Sequence, residues 1–261
     1  MIRRLPLGAS ALLWVGVMFL PGLPAYAWLW PNLRGTDWSH WAMVLVYVYF
    51  LACTLAIGLP RWSPDDLGLN RRGFGLSLVC GAAIIAFLFA GRFALALPFG
   101  PRPCDPWRLA GQFAFYFGQV GLVEELLFRS LIYRALLDWR GLRWALWGSA
   151  LAFGAYHVGS QGPLAGLATA GAGLLFALIR WRSGGIVGLI FIHGAFDLLS
   201  VELWPELGPE ALERVAVANR PLALVADVLL YGLVLYLWRP SALGRFWQRL
   251  TGGRFPEAPT T

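Results

Sequence analysis

Gly121-Leu122-Val123-Glu124-Glu125-Leu126-Leu127-Phe128-Arg129-Ser130 sets two carboxylates and a guanidinium inside an apolar run over roughly 110–138. A run of that length suits a helix crossing a hydrocarbon core of about 30 Å. Ionisable groups are expensive at such depth, so their presence points to a functional site. Glu125 and Arg129 stand at i and i+4, share a helix face and can pair. Glu124 is turned away from that face by about 100°, the step of a 3.6-residue turn. It is the carboxylate less well placed for neutralisation by Arg129, and the one expected to carry chemistry. An arginine that merely locked two helices together would need one carboxylate, and each further buried charge has a cost.

The rest of the chain agrees with a membrane setting. Of its 261 residues 58% are hydrophobic and only 13% charged, with a mean hydropathy of +0.62. Soluble domains carry nearer a quarter charged residues, so a water-soluble enzyme and a disordered chain are excluded. The net charge of +7 does not indicate nucleic acid. All 21 basic residues are arginine, and they sit singly or in pairs between apolar runs. Three cysteines, Cys53, Cys80 and Cys104, are an odd number without a C-x-x-C pair, so neither a disulfide framework nor a thiolate metal site follows.

Eight spans are expected, over roughly 7–30, 41–59, 74–98, 110–138, 143–159, 163–180, 185–201 and 221–238. The connections carry breakers such as Pro60, Pro64, Pro101, Gly141, Gly162, Pro163 and Gly184. No linker or fixed-period repeat divides the chain, so residues 1–261 are read as a single integral membrane domain. Arg34, Arg102, Arg108, Arg214 and Arg220 fall on one side, Arg92 and Arg129 within spans, and the other arginines opposite. The positive-inside rule then puts both termini in the cytoplasm. The acidic 202–220 loop is expected to hold a short interfacial helix from Pro209. Ala25-Tyr26-Ala27 after the first apolar stretch has the form of a signal-peptide cleavage site. The stretch is read as an uncleaved first span, because no soluble exported domain follows.

Only three histidines occur. His40 precedes the second span and is read as a solvated loop residue. His157 follows Phe153 by four residues and shares its face. His193 precedes Asp197 by four, a spacing that lets the carboxylate orient the imidazole. At ~1.5 Å per residue from the inner ends of their spans, Glu124 and His157 both lie about 21 Å deep. His193 and Asp197 lie about 12 and 18 Å deep. Four polar groups on three helices thus fall in overlapping layers, as one buried site requires. Gly118, Gly121, Gly148, Gly154 and Gly194 would let those helices approach closely.

With these residues in order, the sequence resembles the CPBP family of intramembrane proteases, which takes in CAAX prenyl endopeptidases and bacterial Abi-type, bacteriocin-processing proteins. Its signature is E-E-x-x-x-R, F-x-x-x-H and H-x-x-x-N or D on successive helices. Here these are Glu124-Glu125…Arg129, Phe153…His157 and His193…Asp197. Asp65-Asp66-Leu67-Gly68-Leu69 also resembles a short segment common before the third span. The resemblance covers about 60–201, the expected protease core.

The resemblance implies a metal-independent glutamic endopeptidase without a cofactor. Glu124 would activate water, helped by His157; His193 and Asp197 would stabilise the oxyanion; Glu125 and Arg129 would hold the site together. The chemistry is sound, because a carboxylate stripped of water is a better base, and oxyanion donors act best where water is scarce. The prenyl-protein enzymes have Asn where this chain has Asp197. An ionised carboxylate cannot donate a hydrogen bond, so Asp197 is either protonated or holds His193 as an imidazolium donor.

The reading is therefore an all-α, eight-span bundle in a bacterial cytoplasmic membrane. It cleaves a peptide or membrane-protein substrate within the lipid bilayer and has no nucleic-acid partner. The alternatives are a zinc-dependent intramembrane peptidase using one Glu and two His, a non-catalytic scaffold or immunity protein, and a proton-coupled transporter. The zinc reading lacks an H-E-x-x-H helix, and the transporter reading lacks inverted repeats.

Overall fold

The structure, a computed structural model, describes residues 5–33, 38–93, 105–199 and Val225. Seven helices occur among the described residues: α1 (Leu7–Leu33), α2 (Trp38–Gly58), α3 (Phe74–Phe93), α4 (106–140), α5 (Leu142–Gln161), α6 (Pro163–Ser183) and α7 (Val187–Asp197). No strand occurs among them. Two compact units form, Met1–Val79 with Pro103–Leu203, and Cys80–Arg102 with Trp204–Thr261. The residues of the candidate site all belong to the first unit.

Glycine and proline set the boundaries. Gly141 and Gly162, both at φ 85°, flank α5 and take the backbone where L side chains are strained. Pro163 then opens α6 at its first turn, where its missing N–H costs nothing. Gly184 closes α6 in the left-handed conformation, its N–H donating to the Arg180 carbonyl, the usual way of satisfying a last-turn carbonyl. Arg180 and Arg182 lie in that last turn, where positive charge meets the negative helix end.

Helix α4 is not a uniform α-helix. It is π-helical at Ala114–Gly121 and at Glu125–Ile132, with one α-helical stretch, Leu122–Glu124, between. The expected 3.6-residue turn therefore does not hold around the acidic pair, which sits where one winding passes to the other. Such wide turns are rare and gather at functional sites.

Small residues bring the helices together, as packing without a hydrophobic drive in lipid requires. A Cβ on Gly154 would stand 2.5 Å from the Gly166 carbonyl oxygen, joining α5 to α6, and one on Gly121 would stand 2.7 Å from the Ile190 carbonyl oxygen, joining α4 to α7. Gly194 lies against Phe117, and Gly148 against Leu136. Gly118 does not share this role, since nothing lies within 4 Å of where its Cβ would be; it faces away from the neighbouring helices.

The segment before α3 docks on the α6–α7 junction. Gly68, at φ 77°, accepts a hydrogen bond from the Ile186 N–H at 2.9 Å. Arg180 reaches the Asp66 carbonyl at 3.1 Å and the Arg129 carbonyl at 3.3 Å, and it is buried. At the Arg140 end of α4, Arg134 pairs with Asp138 at 3.1 Å and Asp66 at 3.6 Å. Asp138 also accepts from Trp62 Nε1 at 2.7 Å.

Helices stand where the first seven spans were expected, within a few residues, but α7 ends at Asp197 before a π turn at 198–199. Two described helices are long and apolar enough to cross a membrane, with windows Trp41–Gly58 and Pro163–Ser183. His40 lies in the first turn of α2 rather than in a loop, because the helix already begins at Trp38. Residues 94–98, the 202–220 segment and the expected 221–238 span, apart from Val225, lie outside the described residues.

Candidate active site

Glu124, Glu125 and Arg129 come from α4, Phe153 and His157 from α5, and His193 and Asp197 from α7. Glu124, Glu125, Arg129, Phe153 and His193 are buried. The His157 and Asp197 side chains keep 14% and 24% of their exposure. The site's accessible edge therefore runs along these two residues, and its floor is the acidic pair.

The two glutamates face different partners. Glu125 Oε1 lies 3.3 Å from Arg129 Nη1 and 2.8 Å from His193 Nδ1. A carboxylate of an ion pair accepts, so Nδ1 carries the proton of that bond. Glu124 Oε2 stands 3.8 Å from His157 Nε2 and 3.6 Å from His193 Nε2. Both separations exceed hydrogen-bonding length, and Glu124 Oε2 makes no hydrogen bond. The other oxygen, Oε1, accepts from the Tyr47 hydroxyl at 3.4 Å.

Each imidazole is held at Nδ1 and turns Nε2 toward Glu124. His157 Nδ1 lies 2.9 Å from the Phe153 carbonyl. A carbonyl only accepts, so Nδ1 is the protonated nitrogen and Nε2 of the neutral ring offers a lone pair. His193 Nε2 has a second acidic neighbour, Asp197 Oδ2, at 3.6 Å. The i,i+4 spacing thus brings Asp197 to Nε2, while the close partner of this ring is Glu125.

Aromatic rings enclose the charged floor. The Arg129 guanidinium lies 3.9 Å from the centre of Phe153 and 5.3 Å from that of Phe176, which is cation–π distance. Phe153 also packs on both imidazoles, its centroid 4.6 Å from His157 and 5.8 Å from His193. Phe153 is therefore a wall shared by the arginine and both histidines. Among the described residues no group of three or more His, Cys, Asp and Glu is arranged to hold a metal ion.

Three contributors escaped the sequence reading. Tyr47 lies in an apolar span beside Tyr49, with nothing local to separate them. Phe176 is one aromatic among many. Arg180 is the last residue of the expected 163–180 span, and only its burial and its bonds to the Arg129 and Asp66 carbonyls show that it ties α6 to the turn of α4 bearing Arg129 and to the segment before α3.

Neither the curated proteins nor the solved structures offered a significant match. Residues 106–199 match the family described as type II CAAX prenyl endopeptidase, Rce1-like. That stretch holds the Glu124-Glu125…Arg129, Phe153…His157 and His193…Asp197 motifs. Over this stretch the chain is similar to CAAX-type intramembrane proteases, in agreement with its resemblance to the CPBP family.

Proposed function

We propose that the protein is a membrane-embedded endopeptidase in which Glu124 activates water without a metal. The observation that carries this reading is the convergence of three groups. Glu124 Oε2, His157 Nε2 and His193 Nε2 face one another at 3.6 and 3.8 Å, too far to bond directly and near enough for one water to touch all three. Neutral His157 and ionised Glu124 both accept, so such a water points its hydrogens at them and a lone pair outward, toward a substrate carbonyl.

In the reaction the water oxygen bonds to the carbonyl carbon while its proton passes to Glu124. The carbonyl oxygen takes the negative charge. His193 as imidazolium, held at Nδ1 by Glu125, donates through Nε2 to that oxyanion, in the way preorganised donors act in acyl transfer. Glu124 then delivers its proton to the amide nitrogen as the C–N bond breaks, leaving a carboxyl and an amine terminus. Glu125 and Arg129 position His193 and do not touch the substrate. The substrate is a peptide or membrane-protein segment approaching along His157 and Asp197.

The test is cleavage of a fluorogenic CAAX-type peptide, with and without a prenyl group on its cysteine, by purified protein in lipid nanodiscs. Wild type should cleave, chelator should leave the rate unchanged, and Glu124→Gln should be inactive yet folded, since the amide keeps the shape but cannot take the proton. Equal cleavage by Glu124→Gln would overturn the assignment. Loss of activity on chelation, restored by Zn²⁺, would replace it with a metallopeptidase. Reporter fusions ahead of residue 1 and after residue 261 should both report the cytoplasm; a periplasmic C-terminus would refute the eight-span, N-in and C-in topology we propose.

A further inference from the structure

From α2, outside every motif of the site and outside the matched stretch 106–199, one side chain reaches the proposed base. Tyr47 is buried, and its hydroxyl donates to Glu124 Oε1 at 3.4 Å. Its ring meets Phe115 of α4 edge-on, with centroids 6.1 Å apart, so the phenol is braced against the helix that carries the glutamate. We propose that Tyr47 is the positioning residue of Glu124. It holds Oε1 and thereby presents Oε2 to His157 and His193. The proposal rests on the peptidase reading for its kinetic consequence, though not for the contact itself.

Among the described residues, Arg129 pairs with Glu125 rather than with this carboxylate, and Glu124 Oε2 makes no hydrogen bond. A carboxylate has two equivalent oxygens and a free terminal torsion. One donor fixed on Oε1 removes that freedom and distinguishes the two oxygens. A hydroxyl suits the task, because it steadies the carboxylate without the full neutralisation that an arginine would impose. The 3.4 Å separation is long for an O–H···O bond, so the contact steadies the carboxylate without binding it tightly.

The experiment compares wild type, Tyr47→Phe, Glu124→Gln and the double variant, all full-length in nanodiscs. Tyr47→Phe removes one oxygen atom and keeps the ring against Phe115, so it should unfold at the wild-type temperature. Its kcat on the CAAX-type peptide should fall on the order of tenfold or more, as for a lost hydrogen bond to a charged group, with KM within about twofold because the substrate is not touched. The double variant should be no slower than Glu124→Gln alone. The infrared carboxyl or carboxylate band that Glu124→Gln removes should shift in Tyr47→Phe. Wild-type kcat in Tyr47→Phe, beside an inactive Glu124→Gln, overturns the positioning role and spares the peptidase reading. If wild type cleaves nothing, the peptidase reading falls and the infrared band decides the contact: a band unmoved by Tyr47→Phe overturns it as well.

Discussion

Glu125 Oε1 accepts the hydrogen bond from His193 Nδ1–H at 2.8 Å while its Arg129 partner stands at 3.3 Å, so one carboxylate oxygen joins α4 to α7 and both to a buried guanidinium. This junction divides the labour of the acidic pair. Glu125 is committed to a cation and an imidazole, and Glu124 keeps an oxygen directed at two Nε2 atoms. Each orientation of His193 is thereby defined from the Nδ1 side, opposite the place where a substrate would sit.

Removing the guanidinium should damage the fold more than removing the proposed base. Arg129→Ala leaves Glu125 as a buried charge with its pair broken, which typically costs about 3–5 kcal/mol, and it also empties the space between Phe153 and Phe176. Glu124→Gln should leave the thermal midpoint close to wild type. Thermal unfolding in detergent compares the two; equal losses would make Glu124 a structural residue.

On the proposed oxyanion side of the site, His193→Ala should lose about a hundred- to a thousandfold in rate, the usual effect of deleting one oxyanion donor. Asp197→Asn should retain substantial activity, since Glu125 already holds the ring at Nδ1 and Asn supplies an N–H of its own. Rates on one peptide settle the matter. An Asp197→Asn variant as inactive as His193→Ala would mean that the ionised carboxylate at 3.6 Å is required as part of a dyad.

Two glycines on one helix should respond with opposite sign. Gly154→Ala forces a methyl toward the Gly166 carbonyl and the Ala170 side chain and should destabilise by about 1–3 kcal/mol. Gly159→Ala meets nothing within 4 Å and should be neutral or stabilise by about 0.5–1 kcal/mol, the intrinsic gain of Ala over Gly in a helix. Paired unfolding curves check this, and a loss at Gly159 equal to that at Gly154 would contradict the close approach of α5 and α6.

In the loop before α3, the Ser63 hydroxyl bonded to Asp66 at 2.7 Å, and next the positive charges of Arg134 and Arg180, hold the Asp66 carboxyl below its ordinary 3.8. A lowered folded value means stability that is present above 3.8 and is lost as pH falls through the lowered value. The gap in unfolding temperature between wild type and Asp66→Asn should therefore be full at neutral pH and close only in strong acid. A gap that closed already above pH 5 would rule out this carboxylate as its source.

What the sequence determined by itself was local. Apolar runs of membrane length, Gly and Pro breakers, and the i,i+4 spacings of Glu125 with Arg129 and His193 with Asp197 are properties of neighbouring residues. They sufficed to expect helices at 7–30 through 185–201, and to place Glu124, His157, His193 and Asp197 in overlapping layers. Tertiary structure decided which atoms meet. Helix spacing brought Asp197 near His193, but the closest partner of that ring comes from 68 residues away. A uniform helical wheel separated Glu124 from Glu125 without revealing the π turns on either side of them. Tyr47 and Arg180 became site residues only because α2 and α6 pack against α4. The physical reason is that chain-local geometry sets the face on which a side chain emerges, whereas close packing and unmet hydrogen-bonding capacity in a buried interior select its partner.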